Sequence, residues 1–90
     1  MSKITNEIEK KRLEIDVINT ELIALIAQRI AIAKQIGELK KEAGIPVLDS
    51  EREHLVLTRA RRTASLHNID ASYIEDVFRV IMSGARDVQK

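Results

Sequence analysis

Between Lys3 and Gly44 apolar residues recur in alternating steps of four and three. The series runs Ile4, Ile8, Lys11, Ile15, Ile18, Leu22, Leu25, Arg29, Ile32, Ile36, Leu39 and Ala43, and only Lys11 and Arg29 break its apolar character. Positions so spaced face one way on an α-helix, so the stretch predicts one unbroken helix with a seam of heptad type. A second stripe, Ile23, Ile26, Ile30 and Ala33, flanks the seam, and Gly37 interrupts it. The apolar surface is thus wider than a two-stranded coiled coil requires and suits a helix with several neighbours. Glycine inside a helix costs about 1 kcal/mol against alanine. Either a close approach to the backbone or a helix crossing over a small residue would account for Gly37.

This helix is expected to start between Ser2 and Asn6, with Thr5 or Asn6 as its cap. Gly44-Ile45-Pro46 ends it: glycine suits the residue after a helix and proline blocks continuation. A helix of about forty residues is roughly 60 Å long, more than the width of a small globule, so other helices must lie along it. Asp49-Ser50-Glu51-Arg52-Glu53 then opens a second helix, with Ser50 and Glu53 spaced as a capping box and Asp49 an alternative cap. That helix runs to about Ser65 or Leu66 on an apolar face of Val56, Leu57, Ala60 and Ala64. One turn back, the same face lands on Glu53. A turn at His67–Asp70 leads into a third helix, capped by Asp70 and carrying Ile74, Val77, Phe78, Ile81, Met82, Ala85 and Val88, with Gln89 on the same face.

Composition supports an all-α reading, since one proline, three glycines and two aromatics leave little for turns or strands. The ninety residues suit a single helical domain over 1–90. Two short helices cannot cover so wide an apolar face on the long one. The expected fold is therefore one long helix plus two shorter helices in an obligate, intertwined homodimer, the long helices packed together. Fifteen basic against fourteen acidic side chains imply no general affinity for nucleic acid or membrane. The absence of cysteine rules out thiol chemistry, and two histidines are too few for a histidine metal site, so no metal or other cofactor is expected. The N-terminus has no apolar run, which makes the cytoplasm the expected location.

The informative residues are polar ones where the pattern asks for apolar ones. Arg29 sits within the seam, and a guanidinium is costly to bury unpaired. It requires either a carboxylate partner in the fold or an anionic ligand. Lys40 lies eleven residues on, three turns away and facing nearly the same direction, with Cα atoms about 16 Å apart. Their long side chains would leave a gap suited to a small dianion. Glu53 and Gln89 join from the other two helices, and Arg52 stands where backbone N–H groups also favour anions. Arg12 is roughly 25 Å from Arg29 along the axis and about 100° around it. If both serve one small ligand, Arg12 must come from a partner chain.

The ordered set Arg12-x-x-Ile15-x-x-Ile18-Asn19-x-x-Leu22-x-x-Leu25-x-x-x-Arg29, then Gly37-x-x-Lys40, then Pro46-Val47-x-Asp49-x-x-Arg52-Glu53, and on to Gln89, resembles the all-helical chorismate mutase family. The resemblance covers essentially the whole chain. It implies conversion of chorismate to prephenate by an intramolecular Claisen rearrangement, a step of aromatic amino-acid biosynthesis, in a homodimer with two shared active sites. On that resemblance, Arg29 and a partner chain's Arg12 clamp the two substrate carboxylates. Lys40 meets a carboxylate and the enol-ether oxygen, and Gln89 is the second donor to that oxygen. Glu53 accepts from the ring hydroxyl, helped by the backbone at Asp49, with Arg52 nearby. One departure stands out: Ala85 occupies a position where the family often has a hydroxyl residue, and Ser83, two residues off, faces elsewhere.

Two other functions fit the same frame. An isochorismate-pyruvate lyase would use a similar cationic pocket, but lyases of this family carry an extra cation in the loop between the first two helices, and Ile45-Pro46-Val47-Leu48 has none. A non-catalytic helical dimer regulating a partner enzyme of aromatic biosynthesis would share the apolar pattern without needing Lys40 or Gln89.

Overall fold

The computed structural model describes residues 2–90. Three helices account for nearly all of them: α1, Lys3–Ala43; α2, Ser50–Leu66; and α3, Ala71–Gln89. There is no strand among the described residues. The chain divides into two compact units, Met1–Ala31 and Ile32–Lys90, and the boundary falls within α1.

The first unit is the N-terminal part of α1. Its cap is Ser2, not Thr5 or Asn6. The Ser2 hydroxyl accepts from the Thr5 backbone N–H at 3.2 Å, and its carbonyl accepts from Asn6 N–H at 3.2 Å. Thr5 already belongs to the first turn, its hydroxyl 2.8 Å from that of Ser2. Along the polar side, Lys10 pairs with Glu7, Lys11 with Glu14 and Arg12 with Glu9, each three residues apart and exposed. Such pairs add at most about 0.5 kcal/mol each. The apolar stripe has nothing within this unit to bury it: Ile15, Ile18, Leu22 and Leu25 are all more than half exposed. A lone helix in water is marginal, because helices in proteins draw most of their stability from packing an apolar face.

The second unit contains the last turns of α1 with α2 and α3. Two of its helix ends close in the same way. At the end of α1, Gly44 adopts φ +69°, the Gly44 N–H reaches Lys41 O at 3.3 Å, and the Ile45 N–H reaches Lys40 O at 2.8 Å. At the end of α2, Asn68 adopts φ +57°, the Asn68 N–H reaches Ser65 O at 3.2 Å, and the Ile69 N–H reaches Ala64 O at 2.9 Å. Both are Schellman closures, which satisfy the last carbonyls by putting one residue in the left-handed region. Glycine enters that region without penalty and asparagine tolerates it. Asp49 caps α2 by accepting from Arg52 N–H at 3.0 Å, so Ser50 is the first helical residue rather than the cap. Asp70 caps α3, accepting from Ser72 N–H at 3.0 Å.

The buried residues among those described are Ala33 and Gly37 of α1, Leu57, Ala60 and Ala64 of α2, and Met82 and Gln89 of α3, four of the seven being alanine or glycine. Among the described residues no large side chain is fully buried. At the periphery Glu75 takes two cations, Arg79 on its own helix at 2.7 Å and Arg61 of α2 at 3.7 Å.

The Gly44 site offers a test. A Cβ there would meet nothing within 4 Å, so the backbone conformation alone sets the cost of a side chain. Gly44→Ala is expected to destabilise by about 1 kcal/mol, while Asn68→Gly loses nothing. Urea denaturation at one fixed chain concentration checks both; a Gly44→Ala midpoint equal to that of the parent would refute the closure.

Candidate functional site

The second unit places the end of α3 directly on α1. Gln89 is the last residue of α3 and is 9% exposed. A Cβ built on Gly37 would lie 2.8 Å from the Gln89 Cα and 3.0 Å from its Cβ and Cγ. The glycine therefore marks a close backbone approach. The Gln89 Oε1 is buried and has no hydrogen-bond partner. A buried, unsatisfied polar atom costs about 1–3 kcal/mol and calls for an explanation. A half-turn of the terminal bond would present the NH2 group there instead, so this is a fixed amide with an unused polar end.

Lys40 lies three residues beyond Gly37 on α1. Its ammonium donates to the Val47 carbonyl at 2.7 Å in a partly buried setting, bracing the loop between α1 and α2. No carboxylate lies within ion-pair distance of it among the described residues. An ammonium has three donors, so two remain for a ligand.

That loop delivers Asp49 to the start of α2, where its side chain is engaged as the cap. Arg52 supplies the capped N–H, while its exposed guanidinium forms no ion pair among the described residues. Glu53 does not turn back on the helix start as a capping box would have it. Its Oε2 accepts from Arg86 Nη1 of α3 at 2.5 Å, and the side chains are 25% and 34% exposed. This charge-assisted bond ties the first turn of α2 to the last turns of α3.

Lys40, Asp49, Arg52, Glu53 and Gln89 thus all belong to the second unit, where α1 ends, α2 begins and α3 ends. Arg12 and Arg29 belong to the first. Arg12 is exposed and paired with Glu9 at 2.6 Å, flanking an open apolar patch that includes Ile8 and Ile15. Arg29 is half-buried and forms no ion pair among the described residues.

Arg86 was not among the sequence candidates. A signal for it exists: Met82, Arg86 and Gln89 are spaced i, i+4, i+7 and share one face of α3, and the two flanking residues are the buried ones of that helix. A cation between two buried positions needs a carboxylate, and Glu53 is that carboxylate.

The chemistry on offer is narrow. Lys40 and Arg52 attract anions, Gln89 offers a neutral amide, and Glu53 is a carboxylate already balanced by Arg86. No group of three or more His, Cys, Asp or Glu residues among those described is placed to hold a metal ion. No helix among the described residues is long and apolar enough to cross a membrane.

The family model for chorismate mutase type II matches residues 11–90. A chorismate mutase of Methanocaldococcus jannaschii is 36% identical over 93% of this chain and 82% of its own length. A 4-amino-4-deoxychorismate mutase of Streptomyces venezuelae is 31% identical over 87% of this chain and 76% of its own length. A solved structure, a conserved hypothetical protein from Pyrococcus furiosus, matches the whole of both chains with a TM-score of 0.75 and 32% identity.

The two glycines within helices separate contact from propensity. Gly37→Ala must move the Gln89 backbone and is expected to cost about 1–3 kcal/mol. Gly84→Ala, in α3 with nothing within 4 Å, should be neutral or stabilising by up to about 1 kcal/mol. Thermal unfolding of the two variants side by side checks the difference, and equal shifts would remove the special role of the Gly37 contact.

Proposed function

This chain belongs to the chorismate mutase type II family, and we propose that it rearranges chorismate to prephenate at sites shared by two copies of the chain. The observation that carries the proposal is the buried, unpartnered amide of Gln89, held on Gly37, with the Lys40 ammonium one turn further along α1. With the Gln89 amide turned to present its NH2 group these are two donors, and no carboxylate among the described residues neutralises the ammonium. A Claisen rearrangement asks for such donors at the ether oxygen, which gains negative charge as its bond to carbon breaks.

The step is pericyclic. The ether C–O bond breaks while a C–C bond forms within the same molecule, and no proton, nucleophile or metal takes part. Two contributions remain for the protein. One is to fold a flexible dianion into its reactive chair, which guanidinium clamps on both carboxylates achieve. Arg29 and the partner subunit's Arg12 take this role. The other is fixed donors in a dry site, each typically worth 10²–10³ in rate. Lys40 supplies a charged donor and Gln89 a neutral one. The bond from Lys40 to Val47 O sets the ammonium in place and leaves two donors free. Glu53, fixed by Arg86, accepts from the ring hydroxyl, with Asp49 and Arg52 beside it at the start of α2.

The homodimer rests on the first unit. Its stripe of isoleucine and leucine lies exposed along a single helix, and a second copy of the same stripe is the self-complementary cover that a two-fold axis provides. Arg12 then reaches a site from the other chain. The activity places the protein in aromatic amino-acid biosynthesis, working in the cytoplasm. The lyase function is less well supported, because the 45–48 loop adds no cation. The name of the Streptomyces relative raises a second substrate, with an amino group in place of the ring hydroxyl.

An ultraviolet assay of chorismate loss tests the activity; a folded protein that leaves chorismate unchanged defeats the proposal. Lys40→Ala should lower turnover by about 10²–10³-fold with helicity retained. Mixing Arg12→Ala chains with Arg29→Ala chains should restore up to about a quarter of the parent activity, since half of randomly mixed dimers hold one intact site of two. If heterodimers form and stay inactive, the sites are not shared.

A further inference from the structure

We propose that Arg86, through its pairing with Glu53, is a specificity-determining residue that sets this site for a neutral ring hydroxyl and against a ring ammonium. The inference rests on the site described under the proposed function, in which Glu53 meets the ring substituent of the substrate. The new observation is that this carboxylate is not free. Its Oε2 is taken by Arg86 Nη1 at 2.5 Å, the side chains are only 25% and 34% exposed, and the partners lie 33 residues apart on different helices. Glu53 and Arg86 together carry no net charge.

A hydroxyl entering such a pair donates to the remaining oxygen, Oε1, and brings no charge with it. An aliphatic amine is protonated at neutral pH. It would bring a second cation against a carboxylate already compensated, within a few ångströms of the Arg86 guanidinium. An unpaired carboxylate would favour the ammonium by direct attraction. The same carboxylate paired with arginine removes most of that advantage and adds a like-charge contact, and such unfavourable contacts are how sites reject close analogues. The residue acts on the substrate only through Glu53 and the field it adds there, so it is a positioning residue as well as a selector.

The test compares two substrates, chorismate and 4-amino-4-deoxychorismate, on the purified full chain. The quantity read is the ratio of kcat/KM for the amino substrate to that for the hydroxyl one, because general damage to the fold lowers both and cancels. Arg86→Met, which keeps length and apolar bulk, should raise this ratio by about tenfold or more, equivalent to about 1.4 kcal/mol of discrimination. Arg86→Lys restores the cation and should keep the ratio near that of the parent. Far-ultraviolet circular dichroism confirms folding, and Arg86→Gln replaces the methionine variant if that one fails to fold. A ratio unchanged in the neutral variants, with chorismate still turned over, overturns the proposal and leaves the mutase function standing. An equal rise in Arg86→Lys also overturns it, because charge would not then be the cause. If the parent chain rearranges neither substrate, the functional assignment fails and this inference falls with it.

Discussion

The contact on which the second unit depends is between backbones. Gln89 presses its Cα to a distance from Gly37 that no other residue at 37 would permit. A helix terminus is ordinarily the least fixed part of a helix, because its last carbonyls lack partners and the ends fray. Here the final residue of α3 is among the most buried of the chain. The absence of a side chain at Gly37 lets two helices meet closely enough to hold an amide whose carbonyl oxygen has no hydrogen-bond partner. About 1 kcal/mol of helix propensity is given up at Gly37, and a buried side chain is held in place at Gln89.

From that contact the other features follow in sequence. Lys40 stands one turn past Gly37, so the surface that receives Gln89 also carries the ammonium. The Schellman closure at Gly44 ends α1 four residues later and turns the chain back, which brings the Val47 carbonyl to Lys40 Nζ. Asp49 then starts α2 at once, and its first turn presents Glu53 to Arg86 on α3. The end of α1 and the start of α2 are thus closed by local chemistry, an αL residue and an aspartate cap. Those two ends, with the end of α3 held on Gly37, supply the polar groups of the proposed site. Its precision comes from helix ends rather than from a large core, which agrees with a unit in which no large side chain is fully buried.

The helices were readable because their signals are local and periodic. The 4-3 seam, Gly44 with Pro46, and the aspartates at 49 and 70 need only the sequence nearby, and the observed elements follow them closely. The N-terminal cap was misplaced by a few residues because Ser2, Thr5 and Asn6 are all competent caps and a helix end is weakly determined. Glu53 could be placed on the inward side from the α2 face, but not its partner. A link across 33 residues leaves no local trace, and the capping-box spacing with Ser50 offered a plausible but different use for the carboxylate. The sequence around Gly37 fits either a close approach or a small-residue crossing, because the backbone of Gln89 that lies against it comes from a distant part of the chain. The roles of Arg12 and Arg29 rest on the family resemblance, because the contacts they are proposed to make lie with a substrate and a second chain.

A site for a pericyclic reaction faces a particular difficulty over selectivity. With no proton to move and no nucleophile to aim, it recognises its substrate by charge and shape alone. Two close analogues that fold into the same chair will both react if both are bound. Discrimination then has to come from a group away from the breaking bond, and in the proposed site the ring substituent is the place where such a group can act. A lone carboxylate there would accept from a hydroxyl and attract an ammonium more strongly still. Pairing it with Arg86 removes that preference while leaving one oxygen to accept from a neutral donor. The same ion pair that holds α2 to α3 therefore sets the charge that a substrate is allowed to bring. On that view one bond serves both the joining of α2 to α3 and the selectivity of the site.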